Sequence, residues 1–312
     1  METHELKNYK MGVSVIIPAY NRISMLEDAL HSALAQDYTG EVEIIVVDDN
    51  SQDGTSEIVR EKYPTVELVS LKQNVGAYAA RNIALRQAQG QYIAFLDSDD
   101  LWEKEYLSTQ LLALESQVKQ FCVSALVSWY VSTGQRVVKS QKPKLKKYTS
   151  ALHHLLSGGS FIFTPTSVVF PRGLFDDVGL FDETLRMAGD TDFYIRCLLA
   201  GYEPIFTEEP MAIRRMHGKG QLTGVSNIET RKAGRIERAT KYYPLIPEVN
   251  RVVPIKRIYA EIHSYFSSRY FQEKYLYQWI ATSMNAAAYD PIFAMSSLVG
   301  DIKNFLRYRL QI

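Results

Sequence analysis

The first hundred residues alternate between short apolar runs and amphipathic stretches, and nothing else in the chain restricts the fold so tightly. VSVIIPAY (13–20) is a continuous apolar run ended by Pro18, the pattern of a strand covered on both faces. SMLEDALHSALAQ (24–36) follows with Leu26, Ala29, Leu30, Ala33 and Leu34 at helical spacing and Ser24 as its candidate N-cap. EIIVVDD (43–49) reads as a second strand, and DGTSEIVREKY starts a helix behind Asp53-Gly54. VELVSL (66–71) is a third strand, GAYAARNIALRQAQG (76–90) a helix that Gly90 stops, and YIAFLD (92–97) a fourth strand. Four strands with intervening helices predict an α/β fold with a parallel, doubly wound sheet. In such sheets ligands bind beyond the carboxyl ends of the strands. Those ends are Pro18-Ala19-Tyr20, Asp48-Asp49 and Asp97-Ser98-Asp99, which should converge on one crevice.

After Trp102 the rhythm breaks. A helix over 104–114 and strands over 122–130 and 136–138 lead into KSQKPKLKKY, a basic, mobile segment that reads as a solvated loop or, more sharply, as a lid or an anionic contact. SFIFTPTSVVFPRGLFDDVGLFDETL reads as strand, short helix and turn, and GDTDFYIRCLLAGY as a helix with acids in its first turn, where the macrodipole favours them. Beyond about residue 222 the pattern is helical, with Ile255, Ile258, Tyr259, Ile262, Tyr265 and Phe266 on one stripe and Asp290-Pro291 opening a last helix. The expected organisation is a tail (1–11), a sheet domain (12–220) and a helical C-terminal extension (221–312).

Lys plus Arg and Asp plus Glu number 35 each, so bulk charge argues against a nucleic-acid partner. Cys122 and Cys197 sit in apolar surroundings and read as buried free thiols, with neither a disulfide framework nor zinc spacing. METHELKNYK lacks the apolar core of a signal peptide, and no run of about 18 apolar residues could span a bilayer. The chain is expected to be cytoplasmic, with association at the inner membrane face open. From Arg251 onward eight basic residues face four acidic ones, interleaved with aromatics. Such helices either lie on an anionic membrane face or pack on protein.

IAFLDSDDLW runs from an apolar tract straight into three carboxylates. Each disfavours ionisation of its neighbours unless a cation compensates. With VSVIIPAYNR, EIIVVDDNSQDGT, NVGAYAARNIAL, GLFDETL and GDTDFYIRCLLAG, this stretch resembles the family 2 glycosyltransferases over about residues 12–220, in the family's order. The resemblance implies the GT-A nucleotide-sugar fold and inverting transfer from a nucleotide sugar, most simply a UDP-sugar, to a saccharide or lipid-linked glycan acceptor. It implies Mn2+ or Mg2+ at a DXD motif, Asp97-Ser98-Asp99. Asp99 would touch the metal, Asp97 would face the ribose or a metal-bound water, and Asp100 could cap the following helix. Asp49 would meet the nucleotide base, lined by Pro18, Ala19 and Tyr20, with Arg22 beside it. Asn74, Gly76 and Arg81 belong to NVGAYAARN, in which Gly76 would let the backbone approach the ligand. Arg81 would bind diphosphate or pair with Asp97. Asp190 aligns with the catalytic base, and the position before it, commonly Glu, is Gly189. Asp192 would terminate the helix or pair with Arg196. His217 is a further candidate metal ligand, and Arg214, Arg215 and Lys219 could meet phosphates. Two other readings share features with this one. A nucleotidyltransferase would show a glycine- and arginine-rich phosphate loop, which PAYNR lacks, whereas a non-catalytic sugar-nucleotide or glycan-binding partner would accommodate Gly189.

Overall fold

The computed structural model describes residues 10–114, 119–217, 228–273 and 275–310. In chain order the elements are β1 (Lys10–Ala19), α1 (Ile23–Leu34), β2 (Val42–Asp48), α2 (Thr55–Lys62), β3 (Glu67–Ser70), α3 (Ala77–Gln87) and β4 (Gly90–Phe95). Next come β5 (Leu101–Trp102), α4 (Tyr106–Leu114), β6 (Gln120–Tyr130), β7 (Gln135–Lys139) and α5 (Ala151–His153). Then follow β8 (Val168–Pro171), α6 (Gly173–Val178), α7 (Gly189–Leu199) and β9 (Glu203–Met216). The chain ends with α8 (Ile228–Tyr242), α9 (Ile255–Gln272), α10 (Leu276–Tyr289) and α11 (Pro291–Leu310).

The fold is mixed α/β, with one sheet in the order β3-β2-β1-β4-β8-β6-β9-β5 and β7 beside β6. The parallel arrangement read from the sequence holds for β3, β2, β1 and β4. Beyond β4 the sheet mixes directions: of its eight pairings among the described residues, four are parallel and four antiparallel. Register sets the position of the site. Ala19 lies opposite Asp48, Asp48 opposite Ser70, and Ile16 opposite Phe95, so β1, β2 and β4 release their loops along the same edge. Val15, Ile16 and Ile17 are fully buried, as befits a strand covered on both faces.

Two local expectations change. Ser24 lies inside α1, which begins at Ile23 and has Arg22 as its N-cap residue. The carboxylate of Asp53, from the next loop, accepts the Ile23 N–H at 3.1 Å instead. Gly90 does not stop α3, which ends at Gln87; it opens β4, where a Cβ would meet the Ser14 nitrogen at 2.6 Å. Backbone proximity rather than helix termination requires the glycine there.

The molecule divides into two compact units, one of residues 1–142 and 162–219, the other of 143–161 and 220–312. The expected boundary near residue 220 therefore misses a segment: 143–161, assigned above to the sheet domain, belongs with the C-terminal helices. Part of KSQKPKLKKY goes with it, and Tyr148 is buried there rather than solvated. The α9 stripe is broader than expected, since Glu261, His263 and Ser264 are buried alongside Ile258, Ile262 and Phe266. Asp290 does open α11, accepting the Phe293 N–H at 3.0 Å. No helix among the described residues is long and apolar enough to cross a membrane. Cys122 and Cys197 are both buried free thiols.

The second unit contains a pH-sensitive group. His154 stacks on Tyr148 at 4.2 Å between ring centroids, and its Nδ1 accepts the Lys144 N–H at 3.1 Å. Burial first, then the charges of Lys144, Lys147 and Arg235, push its pKa from 6.5 down to about 4. An unfolded chain takes up this proton near the ordinary value, the folded chain only near the depressed one. Its contribution is therefore complete at neutral pH and lost progressively as pH falls toward 4. Solvent screening limits the loss to on the order of 1 kcal/mol at pH 5. The melting temperature should fall between pH 7 and pH 5, and His154→Gln, which keeps an acceptor, should flatten that fall.

Candidate active site

Two strand-end loops are stitched together first. Asn21 and Asn50 take the left-handed conformation, at φ 51° and 64°, which asparagine tolerates better than most residues. Asn21 donates its N–H to the Ser51 hydroxyl at 2.9 Å and accepts the Gln52 N–H at 2.7 Å. Asp48 accepts the Ser51 N–H and the Ser56 hydroxyl, so its role is to hold the turn. Asp49 is buried, and its two oxygens accept the N–H groups of Val75 at 2.7 Å and Gly76 at 2.8 Å. Asn74 donates to the Asp49 carbonyl at 3.3 Å. Gly76 sits at φ 88° just before α3, with open space where a side chain would be. Pro18 and Ala19 are buried within β1, whereas Tyr20 is 49% exposed where the strand ends.

The acidic turn after β4 is compensated residue by residue. Arg81, buried on α3, forms an ion pair with Asp97, and Thr164 Oγ1 donates to Asp97 at 3.1 Å. Ser98 is buried between them in sequence. Asp100 caps no helix, because α4 begins six residues later and the carboxyl group is buried elsewhere. Its Oδ2 accepts the Thr166 hydroxyl at 2.8 Å and its Oδ1 the Arg215 N–H at 3.1 Å, while Thr164 Oγ1, whose single proton serves Asp97 or Asp100 at one time, lies 3.1 Å from Oδ2. Burial, then the charges of Asp97 and Asp99, push its pKa up to about 8. Arg215 is buried too, spent on Asp28 at 2.7 Å and on the carbonyls of Met25 and Asp99, so it is not the phosphate ligand anticipated above. Lys219 lies outside the described residues.

Asp99 is different: its carboxylate is partly open to solvent and meets His217 and Arg22. His217 Nε2 lies 2.9 Å from Asp99 Oδ2 and 3.0 Å from Arg22 Nη1, and Arg22 Nη1 lies 3.5 Å from Asp99. One ring nitrogen can donate to the carboxylate or accept from the guanidinium, not both at once. Two ligand atoms, an oxygen and a nitrogen, thus face each other with a cationic group alongside. That donor pair suits a divalent ion that keeps several waters, such as Mn2+ or Mg2+. No cluster of three or more His, Cys, Asp or Glu residues gathers for a metal among the described residues. Remaining coordination positions would belong to water or ligand oxygens.

Asp190 lies in the first turn of α7, where its Oδ1 accepts the Thr191 N–H at 2.8 Å. The charges of both Asp97 and Asp190 act on Arg81, which places the three groups in one neighbourhood. Asp192 pairs with Arg196 at 3.0 Å, as its spacing suggested. Tyr78, one turn before Arg81, escaped the sequence reading. Its hydroxyl accepts the Gly189 N–H at 2.9 Å, tying α3 to the start of α7. Burial and the Asp190 charge hold the phenol well above its ordinary pKa, so it stays protonated. The sequence signal, in hindsight, was the missing side chain at 189: a Cβ there would meet the Tyr78 ring at 2.8 Å. Gly189→Ala should therefore cost about 1–3 kcal/mol despite alanine's better helix propensity. In a Tyr78→Ala background most of that cost should vanish. Equal costs in both backgrounds, measured by denaturant unfolding, would exonerate the ring.

This geometry can now be set beside known proteins. The family model described as Glycosyl transferase family 2 matches residues 14–179, more than half of the chain. The chain belongs to glycosyl transferase family 2. Within the family it is similar to TuaG of Bacillus subtilis (strain 168), a glycosyltransferase named for teichuronic acid biosynthesis. Identity is 47% over 150 residues, covering 47% of this chain and 55% of TuaG. Among solved structures it is similar to TarS 1–349 of S. aureus in complex with UDP-GlcNAc, with a TM-score of 0.64 and 22% identity. That likeness covers 96% of this chain and 92% of the other. The mannosyltransferase PcManGT of Pyrobaculum calidifontis, in complex with GDP-Man and Mn2+, superposes with a TM-score of 0.54 at 19% identity, covering 95% and 91%. These likenesses establish the GT-A fold. As a family 2 member the protein is a glycosyltransferase.

Proposed function

We propose that this glycosyltransferase moves a sugar, with inversion, from a UDP-sugar to a saccharide or lipid-linked glycan acceptor in cell-envelope polysaccharide synthesis. The envelope assignment is supported by the name of TuaG, and the uridine donor by the UDP-GlcNAc held by TarS. The observation that carries the reading is the triangle of Asp99, His217 and Arg22, beside the Arg81–Asp97 pair and Asp190.

Asp99 and His217 would hold Mn2+ or Mg2+, an ion that PcManGT binds as Mn2+. When bound, the cation offsets the negative charge of the departing diphosphate as a Lewis acid. Asp49, pinned through one lone pair of each oxygen, retains others for a base N–H. Tyr20, exposed at the strand end, packs on the nucleoside; Gly76 lets the backbone come close, and Arg22 meets the diphosphate. The acceptor hydroxyl oxygen attacks the anomeric carbon as the bond to the diphosphate oxygen breaks, and Asp190 takes the hydroxyl proton. We place this work on the cytoplasmic side, at the inner membrane face.

The test is a panel of nucleotide sugars, scored for nucleotide release with and without Mn2+ or Mg2+. Release should require the metal, favour a UDP-sugar and fall about 100-fold in Asp99→Ala. Turnover indifferent to both chelator and Asp99→Ala would overturn the reading.

A further inference from the structure

Helices α10 and α11 present the wrong side to water. On α10, Tyr277, Ile280 and Met284 follow helical spacing and are exposed by 80%, 47% and 68%. On α11, Ile292, Met295, Val299 and Ile302 repeat the pattern at 86%, 70%, 43% and 41%. The buried positions of the same helices include small residues, Thr282, Ala286 and Ala294. A helix at the surface of a water-soluble unit ordinarily turns its charged residues outward. Residues 275–300 contain one charged side chain, Asp290, and it pairs with Arg257 at 3.0 Å. The one acid after it, Asp301, accepts the Ser268 hydroxyl at 2.7 Å. Lys303 is exposed, and Arg307 and Arg309 follow in the same helix.

We infer that the outward faces of α10 and α11 dock on an anionic lipid bilayer surface. Apolar side chains would sink to the boundary between headgroups and acyl chains, tyrosines at Tyr277 and Tyr289 would mark its edge, and Lys303 would meet the headgroups. Charge decides against a second copy as the occupant. In a two-fold contact the patch meets itself, and its exposed charge among the described side chains is Lys303, since Asp290 is paired with Arg257 and Asp301 is turned onto the Ser268 hydroxyl. An anionic membrane supplies that missing charge.

The test is co-sedimentation of the full chain with phosphatidylcholine vesicles, with and without phosphatidylglycerol. The protein should bind the anionic vesicles, less so at high salt. A variant combining Met284→Glu, Ile292→Glu and Met295→Glu should lose binding by about tenfold or more while keeping its circular dichroism and UDP affinity. Lys303→Glu, a single exposed change, should weaken binding to anionic vesicles and leave the residual binding to neutral ones as it was. Three results would each overturn the proposal: no binding to anionic vesicles, undiminished binding by the triple variant, or a vesicle-free dimer in light scattering that the triple variant dissolves. Vesicle binding is read without sugar transfer, so its failure leaves the donor and metal assignments standing, and theirs leaves it.

Discussion

Asp190→Asn is expected to slow sugar transfer by about 10³-fold or more while UDP affinity stays within about twofold. The amide has nearly the volume of the carboxyl group and can still accept the Thr191 N–H, so the first turn of α7 keeps its shape. What it loses is the ability to take a proton from the acceptor hydroxyl. Its place in the first turn of α7, near Arg81, is unchanged by the substitution. Steady-state transfer and calorimetric UDP titration on the same preparation decide the matter. Parallel loss of binding and transfer would make Asp190 a structural residue instead.

Arg81→Met is expected to destabilise the sheet-bearing unit by about 1–3 kcal/mol, because it leaves the half-buried Asp97 carboxylate without its partner. Asp97 would then face Asp99 and Asp100 with its principal compensating cation gone. Packing adds to the loss, since the guanidinium lies 5.7 Å from the Tyr78 ring centroid and 5.9 Å from those of Phe95 and Phe181. Arg81→Met combined with Asp97→Leu should cost clearly less than the sum of the single changes, because the unpaired charge disappears with its partner. Urea unfolding measures all three. A single-variant loss below about 1 kcal/mol would mean that other groups hold the Asp97 charge, and that Arg81 is free for ligand contact.

The βα rhythm was legible because it depends on neighbours in sequence. Apolar runs such as VSVIIPAY and helical spacing such as that of Leu26, Ala29, Leu30 and Ala33 report burial directly, and both were realised. The misreadings share one cause, a partner far away in the chain. The cap of α1 comes from Asp53, and Gly90 answers to the backbone of β1. Asp100 is held by Thr164, Thr166 and Arg215, more than sixty residues on, which no spacing rule connects. The site shows the same division. Asp97, Asp99 and Asp190 stood out as acids at strand and helix ends. Tyr78, an ordinary-looking aromatic on α3, acquires its meaning only from the bare backbone of Gly189 111 residues later.

Because residues 143–161 belong with the C-terminal helices, the polypeptide passes from one unit to the other three times. A fragment cut after residue 219 would keep that segment and discard the helices it packs with, leaving Tyr148, Leu155 and Leu156 stranded. Anyone wishing to express the sheet-bearing unit alone should excise both pieces and splice Lys142 to Ile162 through a short linker. A simple stop codon invites a sticky, insoluble product.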